Sequence, residues 1–165
     1  MSGSHWFAAY TYPRHEKKAA KYLNMFGVET FLPLYREAHR WKNGVRSLVE
    51  IPLFPGYIFV HIESANRTKV LQSPSIASLV GCGGVPTPLP PQEIDRLQTG
   101  SLLLNLRPHP FLKTGDRVRV KSGPLADMEG VLVNLKNQWR VVICVDLLRQ
   151  AVSAEVDLAE LERLP

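Results

Sequence analysis

Five histidines and two cysteines are the side chains of this 165-residue chain best suited to catalysis or metal binding, and they stand apart. His5, His15, His39, His61 and His109 fall in separate local patterns, with no HxxxH pair, and Cys82 and Cys144 form no CxxC. Gly81-Cys82-Gly83-Gly84 could carry an activated thiol, but no neighbouring residue cues that chemistry. No GxSxG and no phosphate-cradling glycine loop occurs. The reading is therefore of a protein that is not an enzyme and needs no cofactor or metal. Its chemistry-bearing residues are instead cations interleaved with an aromatic: Arg40, Trp41, Lys42 and Arg46 around Asn43-Gly44. Such cations can neutralise phosphates, and an indole among them can stack on an unpaired base. An ordinary solvated loop is the alternative. Arg67 and Lys69 form a second small basic pair, while Arg14, Lys17, Lys18 and Lys21 suit a solvated helix face.

The charge is unevenly placed. The net charge is +5, and residues 1–110 hold 12 Lys+Arg against 7 Asp+Glu, whereas residues 111–165 hold 8 against 8. Any contact with nucleic acid thus belongs to the first two-thirds, and the neutral remainder suits a protein partner. With 45% hydrophobic and 21% charged residues the composition is that of a folded globule. No apolar run approaches the ~20 residues that cross a bilayer. The start, Met1-Ser2-Gly3-Ser4-His5, lacks a secretory pattern, so a cytoplasmic protein with free thiols is expected.

The elements that position these residues fall into two textures. Trp6 to Tyr10 reads as a buried strand, and Ala19, Tyr22, Leu23 and Phe26 then take helical spacing up to a C-cap glycine, Gly27. A strand is expected from Val28 to Tyr35, then a projecting hairpin turning on the two residues Asn43-Gly44, with its return strand at Val49–Leu53. Phe54-Pro55-Gly56 breaks the chain before a strand at Tyr57–Ile62. A short helix at Glu63–Gln72, a strand at Ile76–Val80, an irregular glycine- and proline-rich stretch and a helix at Gln92–Leu104 complete this part. The order is that of a split βαβ, an antiparallel sheet with helices on one face. Leu106-Arg107-Pro108-His109-Pro110 reads as a linker, because its prolines resist both helix and sheet. Beyond it, alternating segments at 116–121, 131–135, 140–145 and 151–156 suggest a small barrel. The fold class is α+β, with domains at 1–105 and 113–165 and a linker at 106–112.

Two stretches carry a family resemblance. Gly115-Asp116-Arg117-Val118-Arg119-Val120, followed by Gly123-Pro124-Leu125-Ala126-Asp127-Met128-Glu129-Gly130-Val131, resembles the KOW motif, an SH3-like barrel. Trp6-Phe7-Ala8-Ala9-Tyr10, Glu16 with the Lys-rich helix, and Pro52-Leu53-Phe54-Pro55-Gly56-Tyr57-Ile58-Phe59-Val60 resemble the NusG N-terminal domain. Together they cover nearly the whole chain in the order of the NusG family of transcription elongation and antitermination factors. Val70-Leu71-Gln72-Ser73-Pro74 and Gly84-Val85-Pro86-Thr87-Pro88-Leu89-Pro90 look similar to the specialised UpxY and RfaH-like paralogues.

The resemblance implies a monomeric regulator that suppresses pausing or termination by gripping the clamp helices of the largest RNA polymerase subunit. The matching aromatic groove would be Tyr10, Leu53, Phe54, Tyr57 and Phe59, although Phe59 on its strand could equally fill the core. Arg40, Trp41, Lys42 and Arg46 would approach upstream DNA, and Arg67 and Lys69 the non-template strand at the transcription bubble. The barrel would meet Rho or a small-subunit ribosomal protein through loops holding Leu125, Met128, Leu147, Leu148 and Arg149. Exposed Leu147 and Leu148 would be unexpected in a plain barrel and favour an interaction site, although Leu125 and Leu148 could equally pack in the core. Leu and Met stand where the family carries phenylalanines, which fits an operon-specialised antiterminator that avoids Rho. A housekeeping factor coupling polymerase to Rho or the ribosome is the alternative. A ribosomal or RNA-binding KOW protein is a third reading, disfavoured by the neutral barrel.

Overall fold

Alternation in Trp6-Phe7-Ala8-Ala9 sends successive side chains to opposite faces of a strand, and in the computed structural model both faces find cover. The structure describes residues 3–103, 106–109, 116–135, 138–145, 148 and 150–164. Strand β1 (Ser4–Thr11) leads into helix α1 (Glu16–Met25), which buries Ala19 and Leu23. The helix stops in a Schellman arrangement: Val28 N–H donates to Leu23 O at 2.9 Å and Gly27 N–H to Asn24 O at 3.2 Å. The expected strand at Val28–Tyr35 is split around Leu32-Pro33 into β2 (Glu29–Phe31) and the start of β3 (Leu34–Arg40). Proline lacks the N–H a continuous ladder needs.

β3 and β4 (Arg46–Pro52) form a two-stranded ribbon, registered from Leu34↔Pro52 to Arg40↔Arg46. Its turn differs from the two-residue expectation. Trp41 N–H donates to Val45 O and Gly44 N–H to Trp41 O, both at 2.9 Å, leaving Lys42, Asn43 and Gly44 as a three-residue loop. Gly44 takes φ +83°, the left-handed residue such loops require. β5 (Tyr57–Glu63), a one-turn 3-10 helix (Ser64–Asn66), α2 (Arg67–Leu71) and β6 (Ile76–Leu79) follow. Gly81-Cys82-Gly83-Gly84 and its neighbours, expected to be irregular, contain a minimal ladder of β7 (Gly81–Cys82) and β8 (Val85–Pro86). α3 (Pro91–Leu103) closes this part.

The main sheet has the order β2-β5-β1-β6 and is antiparallel throughout. Its helices lie on both faces, not on one. Ala19, Leu23 and Val70, from α1 and α2, pack with Phe7, Ala9, Ile58 and Val60. Ile94 and Leu97, from α3, join Trp6, Ala8 and Phe59 on the opposite face. The apolar residues of both strand parities made this arrangement necessary, because neither face of β1 could stand open to water.

The second part is an antiparallel sheet ordered β14-β10-β11-β12-β13-β9. Its strands are β9 (Arg107–His109), β10 (Asp116–Val120), β11 (Glu129–Leu135), β12 (Gln138–Val145), β13 (Gln150–Glu155) and β14 (Leu161–Arg163). Four of these answer the expected barrel strands. β9 falls inside the expected linker: Pro108 is tolerated because β9 is an edge strand, pairing only with β13. Of the remaining linker residues, Leu106 is buried in the apolar cluster shared by both parts, and 110–112 lie outside the described residues. Gly130 permits close strand approach, since a Cβ there would lie 2.4 Å from Val142 O. Val118, Val120, Val141, Ile143, Val152 and Ala154 point inward and share one apolar cluster with Trp6, Leu53, Phe54, Phe59, Ile94 and Leu97 of the first part.

Candidate functional site

Phe54-Pro55-Gly56-Tyr57 is a turn whose chemistry is set by its two central residues. Proline fixes φ at the first, Gly56 takes φ +84° at the second, and Tyr57 N–H donates to Phe54 O at 3.1 Å. The turn is held on both sides. Gly56 N–H donates to Glu16 Oε2 at 3.1 Å, and Gly56 O accepts from Thr11 N–H at 2.9 Å. Glu16 is only 6% exposed, at the first turn of α1, where the helix dipole favours a carboxylate. Sequence reasoning quoted Glu16 for its resemblance but missed this task. A lone acid three residues past Pro13 gives no cue that it reaches forty positions ahead.

So anchored, the turn sets Tyr57 opposite Tyr10 across the β1–β5 ladder, their rings 5.1 Å apart and tilted by 44°. Tyr10 is 39% exposed. Burial, and then the neighbouring Tyr10, pushes the Tyr57 hydroxyl above its ordinary pKa, so it stays a donor at neutral pH. It donates to Leu148 O of the barrel at 3.3 Å. Leu53, Phe54 and Phe59 lie beneath this pair and are each 1% exposed. Phe59 stacks on Phe31 at 5.8 Å and meets Phe54 edge-on at 5.7 Å. Of the five expected groove residues, two are at the surface and three form its floor, with the barrel packed against them.

On the barrel side of this contact, Leu125 and Leu148 take the core alternative. Leu148 and Leu125 are each 2% exposed, not open, because both enter the apolar cluster shared with the sheet. Met128 is half-buried against the same cluster. Leu147 and Arg149 lie outside the described residues. Polar contacts rim the seam. Arg96 donates from Nε to Ala126 O at 2.8 Å and pairs with Asp127 at 3.9 Å. Arg107 donates to Arg36 O and lies 5.2 Å from the Tyr35 ring centroid. None of Arg96, Arg107 and Tyr35 was expected at a site, since their roles depend on contacts between distant segments.

The ribbon brings its expected residues together. Arg40 and Arg46 sit directly opposite each other, an unfavourable pairing without an anion, and Lys42 follows in the loop. Among the described residues, none of the three has a side-chain hydrogen bond or ion pair. Trp41 is 49% exposed, its indole N–H donating to Ser47 Oγ at 2.8 Å while His39 packs edge-on at 4.4 Å. Lys17 Nζ donates to Glu50 O at 2.6 Å and ties α1 to the ribbon. Arg67 lies elsewhere, lining a cleft of about 650 Å³ with Tyr10, Leu71, Leu79 and Pro86, and Lys69 shares its short helix. Among the described residues no three His, Cys, Asp or Glu side chains are grouped to hold a metal.

An antiparallel sheet with an aromatic corner is joined to a small antiparallel barrel in a two-part α+β build. The family model described as "Transcription termination factor nusG" matches residues 4–98. Relatives called transcription termination/antitermination protein NusG match almost end to end. That of Thermus thermophilus is 27% identical over 94% of this chain and 96% of its own, and that of Deinococcus radiodurans 28% over 96% and 98%. The Staphylococcus aureus protein is 25% identical over 99% and 98%. A structure titled "Domain interaction in Thermotoga maritima NusG" superposes with a TM-score of 0.65 at 22% identity, over 99% of this chain and 98% of that one. The chain belongs to the NusG family of transcription termination/antitermination factors, non-enzymatic proteins that act with the transcription machinery.

Proposed function

We propose that this chain rides on RNA polymerase, docking its aromatic corner on the clamp helices of the largest subunit and suppressing pausing or termination. The observation that carries the reading is the Tyr10–Tyr57 pair on a turn pinned by Glu16 and Thr11. Two amphipathic rings on a fixed turn bury area at small entropic cost and keep a hydroxyl for a polar partner. Leu53, Phe54 and Phe59 hold the pair in place from below and meet the partner where the barrel now lies. Barrel and polymerase therefore compete for one surface, and docking requires the barrel to part from it.

In this reading residues 1–105 form the docking module and 113–165 the barrel module, with 106–112 joining them in a cytoplasmic monomer. Arg40, Lys42 and Arg46 reach upstream DNA with Trp41, and Arg67 and Lys69 meet the non-template strand. Once released, the barrel offers Leu125, Met128, Leu147, Leu148 and Arg149 to a ribosomal small-subunit protein or to Rho. Leucine and methionine in place of phenylalanine favour an operon-specialised antiterminator. The full-length likeness to proteins named NusG favours the housekeeping alternative. Transcription with purified polymerase on varied templates, with and without Rho, separates the two: a specialised factor acts only behind particular leader sequences. Tyr57→Ala is expected to weaken co-purification with polymerase about tenfold or more while the fold survives. Undiminished co-purification would count against the docking surface.

A further inference from the structure

Among the described residues, the carboxylates of the barrel divide into two groups. Asp116, Asp127, Glu129 and Glu162 each lie within ion-pair distance of an arginine, at 3.6, 3.9, 3.1 and 3.8 Å. Glu155, Asp157 and Glu160 have no such partner among the described residues. These three line one open groove of about 560 Å³ together with Trp139, Val156 and Leu158. Arg140 stands opposite Glu155 in the ladder and its charge acts on that carboxylate, while its guanidinium also donates to Ser153 at 2.8 Å from both Nε and Nη2. Trp139 is 40% and Leu158 45% exposed.

We infer that this groove binds an arginine- or lysine-bearing segment of a partner protein. An indole face flanked by carboxylates attracts a cation through both its quadrupole and the nearby negative charge. Val156 and Leu158 supply apolar surface for the aliphatic stem that carries the cation. The same three carboxylates repel phosphate, so the charge favours a basic peptide over nucleic acid. Local bonds keep the groove formed: Val156 N–H donates to Trp139 O at 3.0 Å, Ala159 N–H to Asp157 Oδ1 at 3.0 Å and Glu160 N–H to Asp157 O at 2.9 Å. Among the described residues no hydrogen bond, ion pair or ring contact joins the groove to residues 3–103. The groove is thus open while Leu125 and Leu148 are covered, and it can hold a partner with the barrel docked or released. This inference does not rest on polymerase docking.

The test uses the full chain and a fluorescein-labelled Arg-Leu-Arg-Leu-Arg peptide, followed by anisotropy at about 20 mM and about 200 mM salt. Binding is expected at low salt and should weaken at high salt, with the Trp139 indole signal moving in the nitrogen–proton spectrum. Trp139→Ala should lose about tenfold in affinity or more. Glu155→Gln with Glu160→Gln, which alters charge but hardly shape at one exposed and one part-buried position, should lose about fivefold or more and flatten the salt dependence. Trp41→Ala should bind as the parent does. Four results would overturn the inference: no binding at low salt, Trp139→Ala or the double glutamine variant within about twofold of the parent, signal changes confined to another face, or equal binding of a Glu-Leu-Glu-Leu-Glu peptide.

Discussion

The two faces of the N-terminal sheet are both apolar, yet they are covered in different ways. On one, Phe7, Ala9, Ile58 and Val60 meet Ala19, Leu23 and Val70, from helices that follow closely in the chain. On the other, Trp6, Ala8 and Phe59 meet Ile94 and Leu97, and the cover is completed by barrel residues such as Leu125 and Leu148. Polar contacts border the first cover as well: Lys17 on the ribbon, Glu16 on Gly56, Thr30 on Asn24 and His15 with Ser75. The second is rimmed by Tyr57 on Leu148, Arg96 on Ala126 and Arg107 on Arg36. A polar-rimmed seam whose cover is supplied by a separate, later part of the chain resembles an interface between partners more than the interior of a module. One face is covered by helices of its own part, and the other is covered in addition by the chain's own barrel.

The largest effect should come from the core. Leu23→Ala empties a fully buried position and is expected to cost about 2–5 kcal/mol, read from the urea midpoint of the full chain. A cost below about 1 kcal/mol would mean that this face can collapse freely, and the distinction between the faces would fail.

Next comes the turn that joins the two faces. Glu16→Ala leaves the Gly56 N–H without its acceptor in a part-buried place, expected to cost about 1–3 kcal/mol. Glu16→Gln keeps an acceptor oxygen and should recover most of that stability and, with it, the affinity for polymerase. If the glutamine variant behaves as alanine does, the carboxylate acts through something other than this bond.

Much of this was legible beforehand, and the failures have physical causes. Strand β1, helix α1 with its glycine stop and the strands of the barrel follow from periods of 2 and 3.6 and from turn residues, all of them local. The ribbon was legible too, but its turn was not, because Asn43-Gly44 suits two loop lengths and the pairing of Trp41 with Val45 decides between them. Arg107–His109 read as linker because proline opposes sheet, and only the tertiary fact that β9 is an edge permits it. The aromatic residues of the site were named from resemblance, yet nothing local distinguishes Tyr57, at the surface, from Phe59, beneath it. Likewise Leu125 and Leu148 gave no sign in sequence that the first module covers them.

A smaller effect tests whether the seam is polar in the way described. Tyr57 has its folded pKa raised above the ordinary value of 10.0, because burial favours the neutral phenol. The unfolded chain therefore gives up this proton first. The contribution is fully present below about pH 10 and is lost as pH rises through the folded value. Tyr57→Phe should remove that alkaline loss and, near neutrality, cost about 0.5–1.5 kcal/mol through the missing bond to Leu148. The checks are urea midpoints across the alkaline range. An identical alkaline profile in the phenylalanine variant would place Tyr57 outside the seam.

The smallest effect on stability should come from the ribbon, which packs on neither face along most of its length. Arg40 and Arg46 oppose each other with like charge and Lys42 adds a third cation, so no folded-state gain is lost when glutamine replaces all three. The midpoint should stay within about 0.5 kcal/mol of the parent or rise slightly. Their cost falls on nucleic acid instead. Each phosphate contact removed should lower the salt dependence of binding to a duplex by about one in the log–log slope, a loss that is independent of sequence. A variant that kept the parent's slope would leave these cations as solvated loop residues. The functional surface of the first module would then shrink to its aromatic corner.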